Sequence, residues 1–368
     1  MKFTVSASAL LKHLQINSGA LSSNPVIPVL EDFLLTLKGN TLEIATSNLE
    51  MTILSEMEVN GSKDGIIAIP GRTLLETLKS MPEQPLVFSI NEETLGVEIT
   101  SAVGNYKLIG EKAEDFPEIP KPDKEDKINL ETLKIQRAID KTIFAVSNDE
   151  MRQGMKGLCF NIDFNHLTVV ATDAHKMVKF AFLDVKSDVA STIILTKKAM
   201  LALRAILPKE GTVDMFFSKT MAFFTFDKIR FITRLIEAKF PDYNAVIPTN
   251  NTNKLKVNRL ELLSALRRLS IFANKTTHQV VLNIQDNSLT ISAQDRDLQN
   301  EGTEQVICTY EGEPCSVGLN ARFVIEMLSA LDSEMAHIEL SSSNRPALIL
   351  PSEQESNEDL LMLVVTNY

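Results

Sequence analysis

Asp173 and His175, two residues apart in Ala171-Thr172-Asp173-Ala174-His175-Lys176-Met177, are the side chains whose types and spacing best suit acid–base or metal chemistry. An Asp-x-His pair can hold a metal or form part of a dyad, so a hydrolase or metalloenzyme is one reading. Its other parts are missing. His13, His166, His278 and His337 are scattered, and Cys159, Cys308 and Cys315 are too few and too irregular for a zinc site or a disulfide framework. The thiols are expected to be reduced. No Gly-rich phosphate loop occurs, so any nucleotide-driven step belongs to a partner. No catalytic residue, metal or cofactor is expected.

The elements that would position Asp173 occur three times. Phe33, Leu35 and Leu37 alternate, turn at Gly39-Asn40, and continue through Leu42 and Ile44 to Asn48. Leu158, Phe160 and Ile162 turn at Asn165-His166 and continue through Leu167 and Val169 to Asp173. Leu282 and Ile284 turn at Asp286-Asn287 and continue through Leu289 and Ile291 to Asp295. Alternation around an Asn, Asp or Gly turn marks paired half-buried strands. Asn48, Asp173 and Asp295 fill one slot, so the acid is expected to turn the chain after the hairpin.

Each hairpin has a helix before and after it. The leading helices are expected over 6–19, 130–146 and 258–275, and the following ones over 70–81, 196–209 and 320–331, starting at Pro70, Thr196 and Asn320. Asp115-Phe116-Pro117-Glu118 and Lys239-Phe240-Pro241-Asp242-Tyr243 punctuate the copies, and Pro117 to Lys127 and Pro248 to Asn253 read as linkers. The fold class is therefore α+β: three tandem copies of one domain, two helices on antiparallel sheets, over 1–120, 128–247 and 252–368. With 44% apolar residues in 368, each copy can fill a core. No apolar run approaches about 18 residues, so no membrane span is expected. Met1-Lys2-Phe3-Thr4-Val5 reads as a strand rather than a signal peptide, and the location is expected to be cytoplasmic.

A net charge of −11 argues against a polyanion partner only if the charge is evenly spread. It is not. The six helix windows hold fifteen Lys and Arg against five Asp and Glu, a balance of +10, leaving −21 elsewhere. Helices favour Glu as readily as Lys, so propensity alone gives no such excess. A basic surface of six helices would grip duplex DNA through phosphates without reading sequence. Six helices about 10 Å wide enclose a hole of roughly 19 Å, too tight for B-DNA of about 20 Å. Twelve enclose roughly 38 Å, so a head-to-tail homodimeric ring is expected.

These residues resemble a known family, the bacterial DNA polymerase III β subunit, the sliding clamp of replication. The likeness spans essentially the whole chain. It rests on the opening five residues, on Pro25-Val26-Ile27-Pro28-Val29-Leu30, Thr46-Ser47-Asn48-Leu49-Glu50-Met51, residues 171–177 and Lys239-Phe240-Pro241-Asp242-Tyr243. The resemblance implies a non-enzymatic processivity factor that slides on double-stranded DNA. Its partners would be a clamp loader, replicative and other DNA polymerases, and repair proteins.

The resemblance also implies sites. A peptide-binding pocket between the second and third domains would comprise Arg152, Met155, Thr172, Ala174, His175, Met177, Pro241, Val246, Leu361, Met362, Leu363 and Val364. DNA-facing residues would be Asn24, Arg72, Lys79, Gln153, Lys197, Lys198, Arg204 and Arg267. The dimer interface would join Tyr106, Lys107 and Leu108 to Ile271 and Phe272, with Glu301 and Glu304 facing basic groups such as Lys107. An ordinary buried strand is the other reading of residues 103–108. The chain departs from the family at its close, Met362 to Tyr368, which lacks the usual Met-Pro-Met-Arg-Leu. It departs too at Asn24 and Gln153-Gly154, where an arginine and two tyrosines often touch DNA, which moves the expected contact toward Arg72, Lys197, Lys198 and Arg267.

A scaffold that never touches DNA is a third reading. A salt titration and retention on circular DNA would separate it from a ring.

Overall fold

The computed structural model describes residues 1–22, 25–122, 127–341 and 345–366. Asn24 and part of the first expected linker lie outside them. Contacts divide the chain into two compact units, Met1–Leu133 with Lys198–Leu235, and Lys134–Lys197 with Ile236–Tyr368.

Among the described residues six α-helices form where apolar spacing places them: α1 Ala7–Asn17, α2 Gly71–Lys79, α3 Thr132–Thr142, α4 Lys197–Ile206, α5 Arg259–Leu269 and α6 Ala321–Ala330. Side chains close several N-termini. Ser6 accepts from Ala9 N, Asn258 from Leu260 and Glu261 N, and Asn320 from Arg322 N, each satisfying otherwise orphaned donors. Pro70 instead precedes α2 with no side-chain cap.

The first unit holds two antiparallel sheets. One runs in the order Asn60–Lys63, Lys2–Ser6, Pro85–Asn91, Gly96–Thr100, Asn105–Ile109. The other runs Ile128–Glu131, Thr212–Phe217, Met221–Phe226, Ile229–Arg234, Met51–Glu58, Thr41–Ser47, Asp32–Lys38, Gly65–Pro70. Helix α1 buries Leu10 and Leu14 against Phe33, Leu35, Leu42 and Ile44, with Phe3 and Phe88 stacked 4.8 Å apart in the same core. Each such apolar side chain stabilises by about 1.5–3 kcal/mol. Asn17 is buried among them, its Nδ2 donating to Ser55 Oγ at 2.6 Å and its carbonyl accepting from Thr46 Oγ1.

The second unit holds one twelve-stranded sheet: Ser191–Thr196, Gly157–Ile162, Leu167–Thr172, Lys176–Phe182, Glu358–Val364, Ala347–Pro351, Met335–Leu340, Asn253–Asn258, Asn300–Glu311, Ser288–Asp295, Gln279–Gln285, Cys315–Asn320. The repeat joins its own copies by strand pairing. Met51–Glu58, which follows the first hairpin, pairs with Ile229–Arg234, the final strand of the second copy. Lys176–Phe182, which follows the second hairpin, pairs in the same way with Glu358–Val364, the final strand of the third.

Candidate functional site

Asp173 spends its carboxylate on the backbone: Oδ1 accepts from His175 N at 2.9 Å and Lys176 N at 2.8 Å. Asn48 makes the same pair of bonds to Glu50 and Met51, and Asp295 to Asp297 and Leu298. The shared slot is thus an Asx turn, which lets Leu49 and Ala174 sit at φ 70° and 74°. Burial pushes the Cys159 thiol up to about 12 and raises Cys308, so neither offers a thiolate.

The turn at Asp173 leads into an apolar cluster. Paired strand residues share a face, so Thr172, Met177, Leu363 and Leu348 line up across four strands. Ile194, Cys159 and Val170 form a second row, and Phe240 closes over both, with Tyr243, Ile247, Ile236 and Leu361 half-buried at the rim. The Lys239-Phe240-Pro241 segment is held close because Gly154 abuts it: a Cβ there would stand 2.4 Å from Lys239 O. A tyrosine cannot occupy position 154 without displacing that segment.

Of the expected pocket residues, Met177, Leu361 and Leu363 meet in this cluster. Arg152, exposed, reaches Asp173 O through Nη1 at 3.0 Å; Thr172 Oγ1 donates to Lys176 O; Ala174 and His175 are exposed on the turn. Met155 and Pro241 are half-buried and Val246 is exposed. Met362 and Val364 do not belong with them. Met362 pairs with Val178, Val364 with Lys176, and both point to the opposite face of the sheet, fully buried. Strand alternation forces this, since neighbours along a strand face opposite ways. Sequence reading missed Val170, Leu348 and Ile247 as cluster members: cross-strand register, which has no local signal, gathers the first two, and Ile247 comes from the segment after Phe240.

The basic helices divide. Arg72, Lys79, Lys198 and Arg267 are exposed and Lys197 is half-buried; Arg72, Lys79, Lys197 and Lys198 have no ion-pair partner among the described residues. Arg204 is half-buried, and Gln153 donates to Glu150 O within its own turn. Other positives are spent inside the chain, contrary to a uniform basic surface. Arg137 binds Glu358, Lys134 binds Asp184, Lys141 binds Asp332, and Arg259 donates to the carbonyls of Ser333 and Leu328. Helix termini and neighbouring copies offer acceptors that a charge count along the sequence does not see.

The expected interface strand, Asn105–Ile109, is an edge, paired in its sheet with Gly96–Thr100 alone among the described residues. Tyr106 and Leu108 pack on their own core while Lys107 and Ile109 are exposed, Ile109 by 75%. In the third copy, residues 300–307 pair with Ser288–Asp295 on one side, and the other side carries no strand among the described residues. Phe272 packs against Gly302 beside it, with Ile271 74% exposed. Glu301 is exposed, but Glu304 is held by Arg268, Nε to Oε1 at 2.8 Å, which lowers its pKa. Glu304 therefore faces its own chain's arginine first.

Three family models of the DNA polymerase III beta subunit match: the N-terminal domain over residues 1–120, the central domain over 129–242 and the C-terminal domain over 244–365. The chain is 29% identical over 368 residues to a beta sliding clamp of Vibrio cholerae, covering 99% of each. It resembles solved DnaN sliding clamps bound to griselimycin, from Pseudomonas aeruginosa (25% identity, TM-score 0.95, covering 100% and 99%) and from Bartonella birtlesii (27%, 0.94, covering 100% of each).

Proposed function

Since the chain belongs to the DNA polymerase III beta subunit family, we propose that it closes head to tail with a second copy into a ring around duplex DNA. It is an accessory subunit of the polymerase and not itself a catalyst. The three domains are read as 1–120, 128–247 and 252–368.

The observation that carries this reading is an unfinished repeat. Two junctions between copies pair the strand after one hairpin with the final strand of the next copy. Two strands of the same kinds are left without such a partner among the described residues: Asn105–Ile109, the final strand of the first copy, and the free side of residues 300–307, after the third hairpin. A third junction between two chains would use both, removing two exposed edges. Its register follows from the other two. Thr52 opposes Ile232 and Met177 opposes Leu363; the equivalent pair is Glu301 and Lys107, opposite charges. Tyr106 then opposes Gly302, beside Phe272. Two such junctions close a ring of six copies.

Inside the ring, Arg72, Lys79, Lys197, Lys198, Arg204 and Arg267 face phosphate without reading bases. The cluster around Met177, Leu361 and Leu363 seats apolar anchors of partner peptides, from clamp loader, polymerases and repair proteins, with methionine supplying adaptability. The setting is the cytoplasm. No helix of the described residues is long and apolar enough to cross a membrane.

The test is mass and topology. Wild type should run near twice 40.9 kDa, and Ile109→Asp with Ile271→Asp should run as a monomer. Loaded protein should stay on circular DNA and leave when that DNA is cut. Equal retention on linear and circular DNA would sink the ring.

A further inference from the structure

Lys176 carries a charge where the fold asks for none. Its counterpart in the first copy, opposite Asn48 as Lys176 is opposite Asp173, is Met51, 2% exposed and apolar. The two turns share their backbone bonds: Asn48 N donates to Met51 O as Asp173 N donates to Lys176 O, and Arg234 N donates to Glu50 O as Val365 N donates to His175 O. Yet Lys176 is 6% exposed. Its ammonium sits 4.6 Å from the centre of the Phe323 ring and 5.8 Å from that of Phe144, pairs with Glu326 and lies 3.8 Å from Asp173. His175 lies along Phe323 as well, ring centres 6.4 Å apart. Desolvating an ammonium is costly, and a well-packed apolar residue commonly serves stability as well or better.

We infer that Lys176 is a positioning residue for the peptide site: through Glu326 and Phe323 it fastens the turn bearing His175 and Met177 to α6 of the third copy. The ligand meets a preset turn instead of ordering one, which is where preorganisation gains affinity. The inference rests on the pocket reading above.

Griselimycin is the probe, titrated calorimetrically into the full chain. Lys176→Met, which installs the first copy's residue, should keep the dimer mass and an equal or higher melting temperature, yet lose about tenfold in affinity. Lys176→Arg, which can still stack and pair, should restore most of it, a rescue that mere packing would not produce. Glu326→Gln, altering a half-exposed partner, should weaken binding in the same direction and covers the case in which Lys176→Met fails to fold. Wild-type affinity in both Lys176→Met and Glu326→Gln, or in Glu326→Gln alone if Lys176→Met does not fold, overturns the inference and leaves the pocket standing. If Met177→Ala binds as wild type, the pocket reading falls and this inference with it.

Discussion

Arg137 on α3 grips Glu358, 221 residues away at the start of the final strand, with Nε donating to Oε1 at 2.9 Å and Nη2 to Oε2 at 2.6 Å. The same guanidinium reaches Asp332, which Lys141 also holds at 2.7 Å. The second and third copies are thus joined by an ion-pair network as well as by paired strands. Arg137→Ala should lower the urea midpoint, costing about 1.5–3 kcal/mol for the charge-assisted pair. Arg137→Lys should recover only part, because an ammonium lacks the fork. An unchanged midpoint would make the network ornamental.

Alternation in the last strand separates two neighbours. On the proposed reading of the cluster as the peptide site, Leu361→Ala, at its rim, should weaken binding of griselimycin, the compound bound to two similar clamps, with little change in melting temperature. Met362→Ala, fully buried on the other face, should cost about 2–5 kcal/mol of stability. If Met362→Ala weakens binding while stability holds, the assignment of faces is wrong.

Asp32, at the start of the strand next to the edge of the first unit's eight-stranded sheet, is buried with Oδ2 unpartnered, and burial, then Glu111 and Glu31, raise its pKa to about 7. A raised carboxyl binds its proton more tightly folded than unfolded. Its contribution is therefore present below about pH 4 and is lost as pH rises toward 7. Asp32→Asn should flatten that slope and raise the melting temperature at pH 8 relative to wild type. Parallel pH profiles of wild type and variant would remove Asp32 as the cause.

Charges on the helices should not act alike. Lys197→Glu with Lys198→Glu should weaken DNA binding and flatten the plot of log affinity against log salt, by about 0.9 for each phosphate no longer neutralised. Arg268→Gln should leave that slope alone, since Glu304 already neutralises it. Equal slopes for all three proteins would mean that α4 does not face phosphate.

The sequence alone determined whatever is written in local periodicity. Hairpins alternate with period two and helices with 3.6, so six helices and three hairpins were legible, each helix starting within two residues of its expected place, although the windows 130–146 and 258–275 run past Thr142 and Leu269 where those helices end. Asn48, Asp173 and Asp295 declared their turns because an Asx side chain bonds backbone two and three residues on, a purely local event. Even the family was legible, because its motifs are short and contiguous.

What tertiary structure decided is what depends on pairs distant in sequence. Whether Arg137, Lys141 and Arg268 are free charges or spent ones turns on Glu358, Asp332 and Glu304, which no count along the chain connects to them. Which of Leu361, Met362, Leu363 and Val364 meet Met177 was set by strand register, because a shift of one residue exchanges the two faces. Period is a property of neighbours along the chain; neutralisation, register and face are properties of the partners that folding brings.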